Sequence, residues 1–320
     1  MRYRRLGRTG LKVAPICFGG NVFLNTIDQA QSFVVLDTYV EGGGNFIDSA
    51  DVYARWKPGN CGGESETVLG HWMHERKNRE SIILATKVCS AMGDGPNERG
   101  LSRGWIMKAV DASLRRLQTD YIDLYQAHSD DMETPLEETL RAFDDLVKQG
   151  KVRYIGASNY RAYRLALALG VSERHNYVRF ESIQPKYNLV QRDEYERELE
   201  PLCNELNVGV ITYSSLASGF LTGKYQAGQN LPSTPRAGGV QRTYMNDHGF
   251  GVLAAVVNVA SRVGATPSEV ALAWILSRPG MTAPIASATT AEQTKQLLAA
   301  IDLKLDPESL VELDQASAWK

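Results

Sequence analysis

A surplus of positive charge is missing from this chain: 35 lysines and arginines face 37 aspartates and glutamates, a net charge of −2 at neutral pH. Surfaces that bind nucleic acid or anionic membranes need a basic excess, so neither partner is expected. Nor is there a run of about 18 apolar residues able to cross a bilayer. The basic opening MRYRRLGRTGLKV is not followed by the apolar stretch of a secretory signal. Cysteines are few, and Cys17, Cys61, Cys89 and Cys203 show no metal-ligand or redox-pair spacing. Reduced thiols without an export signal make the cytoplasm the expected compartment. The five histidines stand at 71, 74, 128, 175 and 248, the first two on what reads as an outer helix. A metal-dependent barrel hydrolase needs clustered histidine and carboxylate ligands, so no metal site is expected. No G-x-G-x-x-G follows the first strand, which argues against a doubly wound dinucleotide domain.

What is present is a repeated alternation. Short β-type runs (KVAPICFG, NFID, IILATK, YIDLYQA, VRYIGAS, FESIQP, VGVITYS and TAPIAS) are separated by amphipathic segments. Those segments fall near 28–41, 64–75, 102–117, 135–148, 160–169, 193–206 and 290–301. Strand-then-helix repeats imply parallel strands joined by crossovers. Eight nearly continuous apolar strands imply a sheet covered on both faces or closed on itself. The expected fold is α/β, a (β/α)8 TIM barrel spanning 1–320 as one domain, a length such barrels reach. An extra helix pair is expected near 252–263 and 267–278.

Helix ends carry local signals. Thr134-Pro135-Leu136-Glu137 reads as a capping box with proline at the first helical position. Gly150 reads as the following C′ stop, and Ser102 and Thr266 as caps of their helices. Segments 88–101 and 224–249, rich in glycine, proline and polar residues, exceed most βα connections. They are either mobile loops at the barrel mouth or surface insertions.

Four proton-handling groups sit where strands would emerge. Asp48 ends FIDS, Tyr53 follows in the next loop, Lys87 ends SIILATK and His128 ends YIDLYQAH. In an α/β barrel such positions converge on one mouth. Singly, each has a structural reading: a loop carboxylate, one tyrosine among fourteen, a core histidine. Lys87 is harder to dismiss, because an ammonium after IILAT must find a partner or bear a desolvation penalty; Asp48 is the natural one. A phenol with a pKa of about 10 is a reluctant acid at neutral pH, and a neighbouring cation makes it a better one. Lys87 is therefore expected to activate Tyr53, with Asp48 holding Lys87 and His128 donating to a substrate carbonyl. Such a group suits protonation of an alkoxide as hydride arrives from a nicotinamide.

The strings GNFIDSADVY, ATK, YIDLYQAH, IGASNY, IQPKYNLV, YSSLASGFLTGKY and PIASATTAEQ follow one another in a familiar order. On them the chain resembles, over essentially its full length, the aldo-keto reductases, near the branch of the potassium-channel β subunits. The resemblance implies NADPH-dependent reduction of aldehydes or ketones, with Tyr53 as general acid/base and Asp48, Lys87 and His128 completing its tetrad. It also implies a cofactor site. Ser158, Asn159 and Gln184 offer the donors and acceptors a carboxamide needs, and Tyr213 matches the ring that stacks on nicotinamide. Ser214, Leu216, Gly219, Gly223 and Lys224 match a pyrophosphate loop. Ser287, Thr289 and Gln293 correspond to the adenosine-binding stretch. Gln296 stands where a glutamate is typical and Leu297 where an asparagine is, which weakens polar contacts to adenine. A 2′-phosphate would rest on hydroxyls of Ser287, Thr289 and Thr290, on a helix N-terminus near 291 and on Lys295. NADPH is the expected cofactor, with NADH the other candidate.

For a small carbonyl substrate, Asn21, Val22 and Phe23 after the first strand and Trp56 after Tyr53 form an apolar wall with residues near Met92. The alternative is that Phe23 and Trp56 simply pack beneath loops. A second functional class remains open at this point, a nicotinamide-cofactor-sensing binding subunit with slow turnover.

Overall fold

Eight parallel strands close on one another in the computed structural model, which describes residues 1–319 except 227, 233 and 235. A short antiparallel hairpin, β1 (Arg4–Arg5) and β2 (Lys12–Val13), precedes them. The barrel strands are β3 (Cys17–Gly19), β4 (Phe46–Asp48), β5 (Ile83–Val88), β6 (Ile122–Ala127), β7 (Val152–Ser158), β8 (Phe180–Gln184), β9 (Gly209–Thr212) and β10 (Met281–Ala286). Pairing of β10 with β3 completes the ring. Around it lie α1 (Gln29–Glu41), α2 (Glu64–Arg76), α3 (Arg103–Leu117), α4 (Leu136–Lys148), α5 (Ala162–His175) and α6 (Glu200–Leu206). Then come α7 (Ala237–Tyr244), α8 (Asp247–Val263), α9 (Pro267–Ser277), α10 (Ala291–Ala299) and α11 (Pro307–Ala316). This is the expected (β/α)8 TIM barrel.

Side chains alternate sides along a strand, and the sequence uses that alternation to build two interior layers. Phe46, Ala85, Leu124, Ile211 and Ala283 form an apolar floor with Leu6, Val13 and Cys17. Two residues further along the same strands stand Asp48, Lys87 and Gln126, all buried. Ile47, Leu84, Tyr125, Ile155 and Ile183 point outward into the larger core beneath the helices. The polar layer thus lies toward the carboxyl ends of the strands, where barrel sites are built.

The run KVAPICFG, expected as one strand, serves two elements. Lys12–Val13 folds back on Arg4–Arg5, and Cys17–Gly19 enters the barrel. Leu6 and Val13 thereby plug the amino ends of the strands. The plug depends on Gly7, whose φ is +51° and whose missing Cβ would lie 2.2 Å from the Glu181 carbonyl oxygen. Gly7→Ala is expected to cost about 3 kcal/mol from this overlap and the left-handed backbone. The check is a lower urea midpoint at unchanged slope.

Several helix signals hold. Ser102 accepts from the Trp105 amide, and Thr266 forms a reciprocal capping box with Glu269 ahead of Pro267. Gly150 has φ +76°, as a C′ residue needs. The box at Thr134 does not form: its hydroxyl donates to Asp131 Oδ2 at 2.7 Å, and Pro135 caps α4 without a side-chain bond. A carboxylate is the stronger local acceptor. The segment expected to end at 169 continues to His175, and 193–206 divides into a π-helical turn, Tyr195–Leu199, followed by α6. Segment 88–101 is stitched by Met92 N–H to Glu98 O and Gly100 N–H to Cys89 O. Segment 224–249 carries α7 and the start of α8; within it 227, 233 and 235 lie outside the described residues. Among the described residues no single helix is long and apolar enough to cross a membrane.

Candidate active site

Lys87 stands in the polar layer with no solvent exposure. A buried ammonium is tolerated where its hydrogens find acceptors, and here all three do. Nζ donates to Asp48 Oδ2 at 2.5 Å, to the Ser49 carbonyl at 2.8 Å and to the Tyr53 hydroxyl oxygen at 2.8 Å. The second Asp48 oxygen accepts from Gln126 Nε2 at 3.2 Å and Gln184 Nε2 at 2.9 Å. Neighbouring strands in register supply these groups, Lys87 opposite Gln126 and Ser158 opposite Gln184. The pairing of Lys87 with Asp48 read from the sequence is therefore present.

Tyr53 comes from a loop that is held in place. Ala54 has φ +75°, Asn60 Nδ2 donates to the carbonyls of Leu24 and Ala54, and Arg55 donates to the Ala91 carbonyl. The Tyr53 hydroxyl donates toward Asp48 Oδ2 at 3.3 Å while accepting from Lys87. Burial first, then the Asp48 carboxylate, push the phenol well above its ordinary pKa. This corrects the expectation that Lys87 lowers it: the ammonium is in contact, but Asp48 answers its charge and burial outweighs the remainder. The His128 ring meets the Tyr53 ring edge-on at 5.9 Å. Burial and the Lys87 charge push its imidazole down to about 3, so it is neutral at physiological pH. Its Nδ1 is buried without a partner.

Above this layer opens a cavity of about 1210 Å³, bordered by Asp48, Tyr53 and His128. Ser158, Asn159, Gln184 and Tyr213 reach it from the ends of β7, β8 and β9. They are linked: Ser158 Oγ donates to the Gln184 carbonyl, Asn159 Nδ2 to the His128 carbonyl, and the Tyr213 hydroxyl to Asn159 Oδ1. Ser214, Leu216, Gly219 and Lys224 line the next stretch. There Ser214, Ala217, Ser218, Gly219 and Gly223 all have positive φ. These turns are closed from within: the amides of Ala217, Gly219 and Gly223 donate to the carbonyls of Ser214, Leu216 and Phe220. Ser287, Thr289 and Gln293 line the far end with Gln296 and Leu297. Gln293 Oε1 accepts from Thr289 N and Oγ1, and Thr290 caps α10.

Of the substrate-wall residues, Asn21, Val22 and Trp56 border the cavity. Phe23 does not: it is fully buried and stacked on Phe18 at 5.9 Å, because the 3-10 turn Gly20–Val22 swings it inward. Met92 packs instead against the Gly62 backbone. Lys295 lies in a separate hollow with Met1 and Glu41, away from Gln293. Two positions along a helix turn about 200°, so 295 faces away from 293. Arg236 lines the cavity beside Lys224 and escaped sequence reasoning, since the aperiodic 224–249 stretch gave no cue to where its cation would point.

The mouth of the closed α/β barrel holds a hydrogen-bonded phenol, ammonium and carboxylate, with an imidazole edge-on to the phenol, beside a long cleft. Residues 15–318 match the model of the Aldo/keto reductase family, and the chain belongs to that family, whose members work with nicotinamide cofactors. The chain is 36% identical to an uncharacterized oxidoreductase, YrpG, of Bacillus subtilis over 97% of its own length and 94% of the relative's. It is 35% identical to a probable voltage-gated potassium channel subunit beta of Arabidopsis thaliana, covering 95% and 92%. An aldo-keto reductase of Alternaria alternata, AFTS1, is 33% identical over 98% and 91%.

Proposed function

We propose that the protein reduces aldehydes or ketones to alcohols with NADPH, using Tyr53 as the proton donor. The observation that carries this reading is the Lys87 ammonium 2.8 Å from the Tyr53 hydroxyl, bridged to Asp48 at the cavity floor. NADPH, when bound, supplies the hydride. Ser158, Asn159 and Gln184 would hold its carboxamide, Tyr213 its ring face, and the loop from Ser214 to Lys224 its pyrophosphate. Thr289 and Gln293 would meet the adenosine. Lys224 and Arg236 supply positive charge that suits a dinucleotide with an additional phosphate.

The chain's own residues divide the remaining work. Neutral His128 can donate an N–H to the carbonyl oxygen without placing a second cation beside Lys87. Lys87 fixes the phenolic oxygen, and Tyr53 gives its proton to the substrate's former carbonyl oxygen as that oxygen becomes an alkoxide, leaving a phenolate beside Lys87. A phenol held protonated suits this step, because an alkoxide is more basic still. It is a poor base for the reverse. Aldehyde reduction is therefore expected to stay level through alkaline pH, while alcohol oxidation rises about tenfold per unit as phenolate accumulates. A plateau of kcat/KM for oxidation near neutrality would contradict the raised phenol.

The relatives named as potassium channel β subunits support a second reading, a cofactor-sensing subunit with slow turnover. A panel of aldehydes and ketones with NADPH and NADH, followed by nicotinamide absorbance and by calorimetric binding, tests both. Turnover with NADPH supports the reductase. Tight dinucleotide binding without turnover supports the sensor.

A further inference from the structure

We infer that Asn188 is a positioning residue for the dinucleotide, holding the Tyr213–Gly223 loop from behind in the shape that receives it; this rests on the cofactor reading above. Asn188 is fully buried and takes no part in the cavity wall, whereas Tyr213, Ser214, Leu216 and Gly219 all border it. Three residues of that loop, Ser214, Ala217 and Ser218, hold left-handed backbone without being glycine, at φ +55°, +49° and +57°. Such strain persists only where neighbouring structure imposes it. The amides of Ala217, Gly219 and Gly223 close turns within the loop, so they do not tie it to the barrel.

The tie comes from the segment after β8. The Pro185 carbonyl accepts from the Tyr213 amide at 3.0 Å, and the Tyr187 amide donates to the Tyr213 carbonyl at 3.3 Å, which fixes the loop's first residue. One residue further on, Asn188 Nδ2 donates to the Ser214 carbonyl at 3.1 Å. Asn188 Oδ1 accepts from the amides of Val190 and Gln191, so the side chain's orientation is set and its donor side faces Ser214. A turn needs only that acceptor; the donor reaches a residue 26 positions away. The same turn grips the loop's far end, because Tyr244 donates to Gln191 Oε1 at 2.8 Å and stacks on Phe220, ring centres 5.9 Å apart. Its base is stiff: the Tyr187 hydroxyl donates to Glu196, which is paired with Arg192.

The test measures NADPH and NADH affinity by calorimetry, and amide hydrogen exchange across 213–223 without ligand, for the wild type, Asn188→Ala, Asn188→Ser and Gly7→Ala. The serine keeps an acceptor for the turn, but its hydroxyl stops short of Ser214. Gly7→Ala is expected to weaken the barrel at its opposite rim and controls for stability alone. Both Asn188 variants should bind NADPH about tenfold more weakly, the loss that follows when the receiving conformation falls to about a tenth of the population. Both should also speed exchange in the loop, and Gly7→Ala should leave affinity and loop exchange near wild type. Full affinity in Asn188→Ser, with loss confined to Asn188→Ala, would credit the turn acceptor and overturn the assignment. So would equal weakening by Gly7→Ala, or unchanged loop exchange in both Asn188 variants. Wild-type protein that binds neither dinucleotide would remove the cofactor reading instead; faster loop exchange in the variants would still support Asn188 as the residue that holds this wall.

Discussion

Tyr53→Phe is expected to cut carbonyl reduction by about 10³-fold while leaving dinucleotide affinity almost unchanged. The variant removes one oxygen, and that oxygen accepts from Lys87 and points its own hydrogen toward Asp48 and the cavity floor. The ring remains and keeps its edge contacts with Trp56 and His128, so the loop should hold its shape. None of the residues proposed for the dinucleotide hydrogen-bonds to this hydroxyl. Single-turnover reduction and calorimetric NADPH binding, measured on one preparation, check both halves. Turnover near the wild-type rate would remove Tyr53 from the acid role, and a large loss of NADPH affinity would place it in cofactor binding instead.

Asp48→Asn should produce the second large effect, on stability and activity together. The carboxylate accepts from Lys87, Tyr53, Gln126 and Gln184, all donors aimed at one side chain. An amide of the same shape offers one oxygen and turns N–H groups toward the remaining donors. The buried ammonium also loses its counter-charge, which costs about 3 kcal/mol or more when one partner of such a pair is removed. Urea unfolding should show that loss, and reduction should fall as Lys87 leaves its place. Adding Lys87→Met removes the stranded charge and should recover much of the stability with none of the activity. If the single variant unfolds like the wild type, the pair does not sustain the site.

Much of the site was legible because period-two alternation is a strong signal. Once NFID, IILATK and YIDLYQA are strands of one barrel, Asp48, Lys87 and Gln126 must share its interior two residues above Phe46, Ala85 and Leu124. The misses share a different origin, side-chain direction outside regular elements. Phe23 followed a strand as Asn21 did, but a single 3-10 turn sent the two to opposite sides. Thr134 had the spacing of a cap, and a carboxylate three residues back took its hydroxyl. Lys295 could have been set aside by helical geometry alone, being two positions from Gln293. The direction of the Tyr53 shift was beyond sequence reasoning, because it depends on how deeply the phenol sits and on which oxygen of Asp48 it meets.

Leu6 and Val13 seal the amino-terminal rim beneath an interior already filled by Phe46, Ala85 and Leu124. The cavity bordering Asp48 and Tyr53 lies on the other side of that floor, so its loops can change shape without touching the seal that closes the barrel.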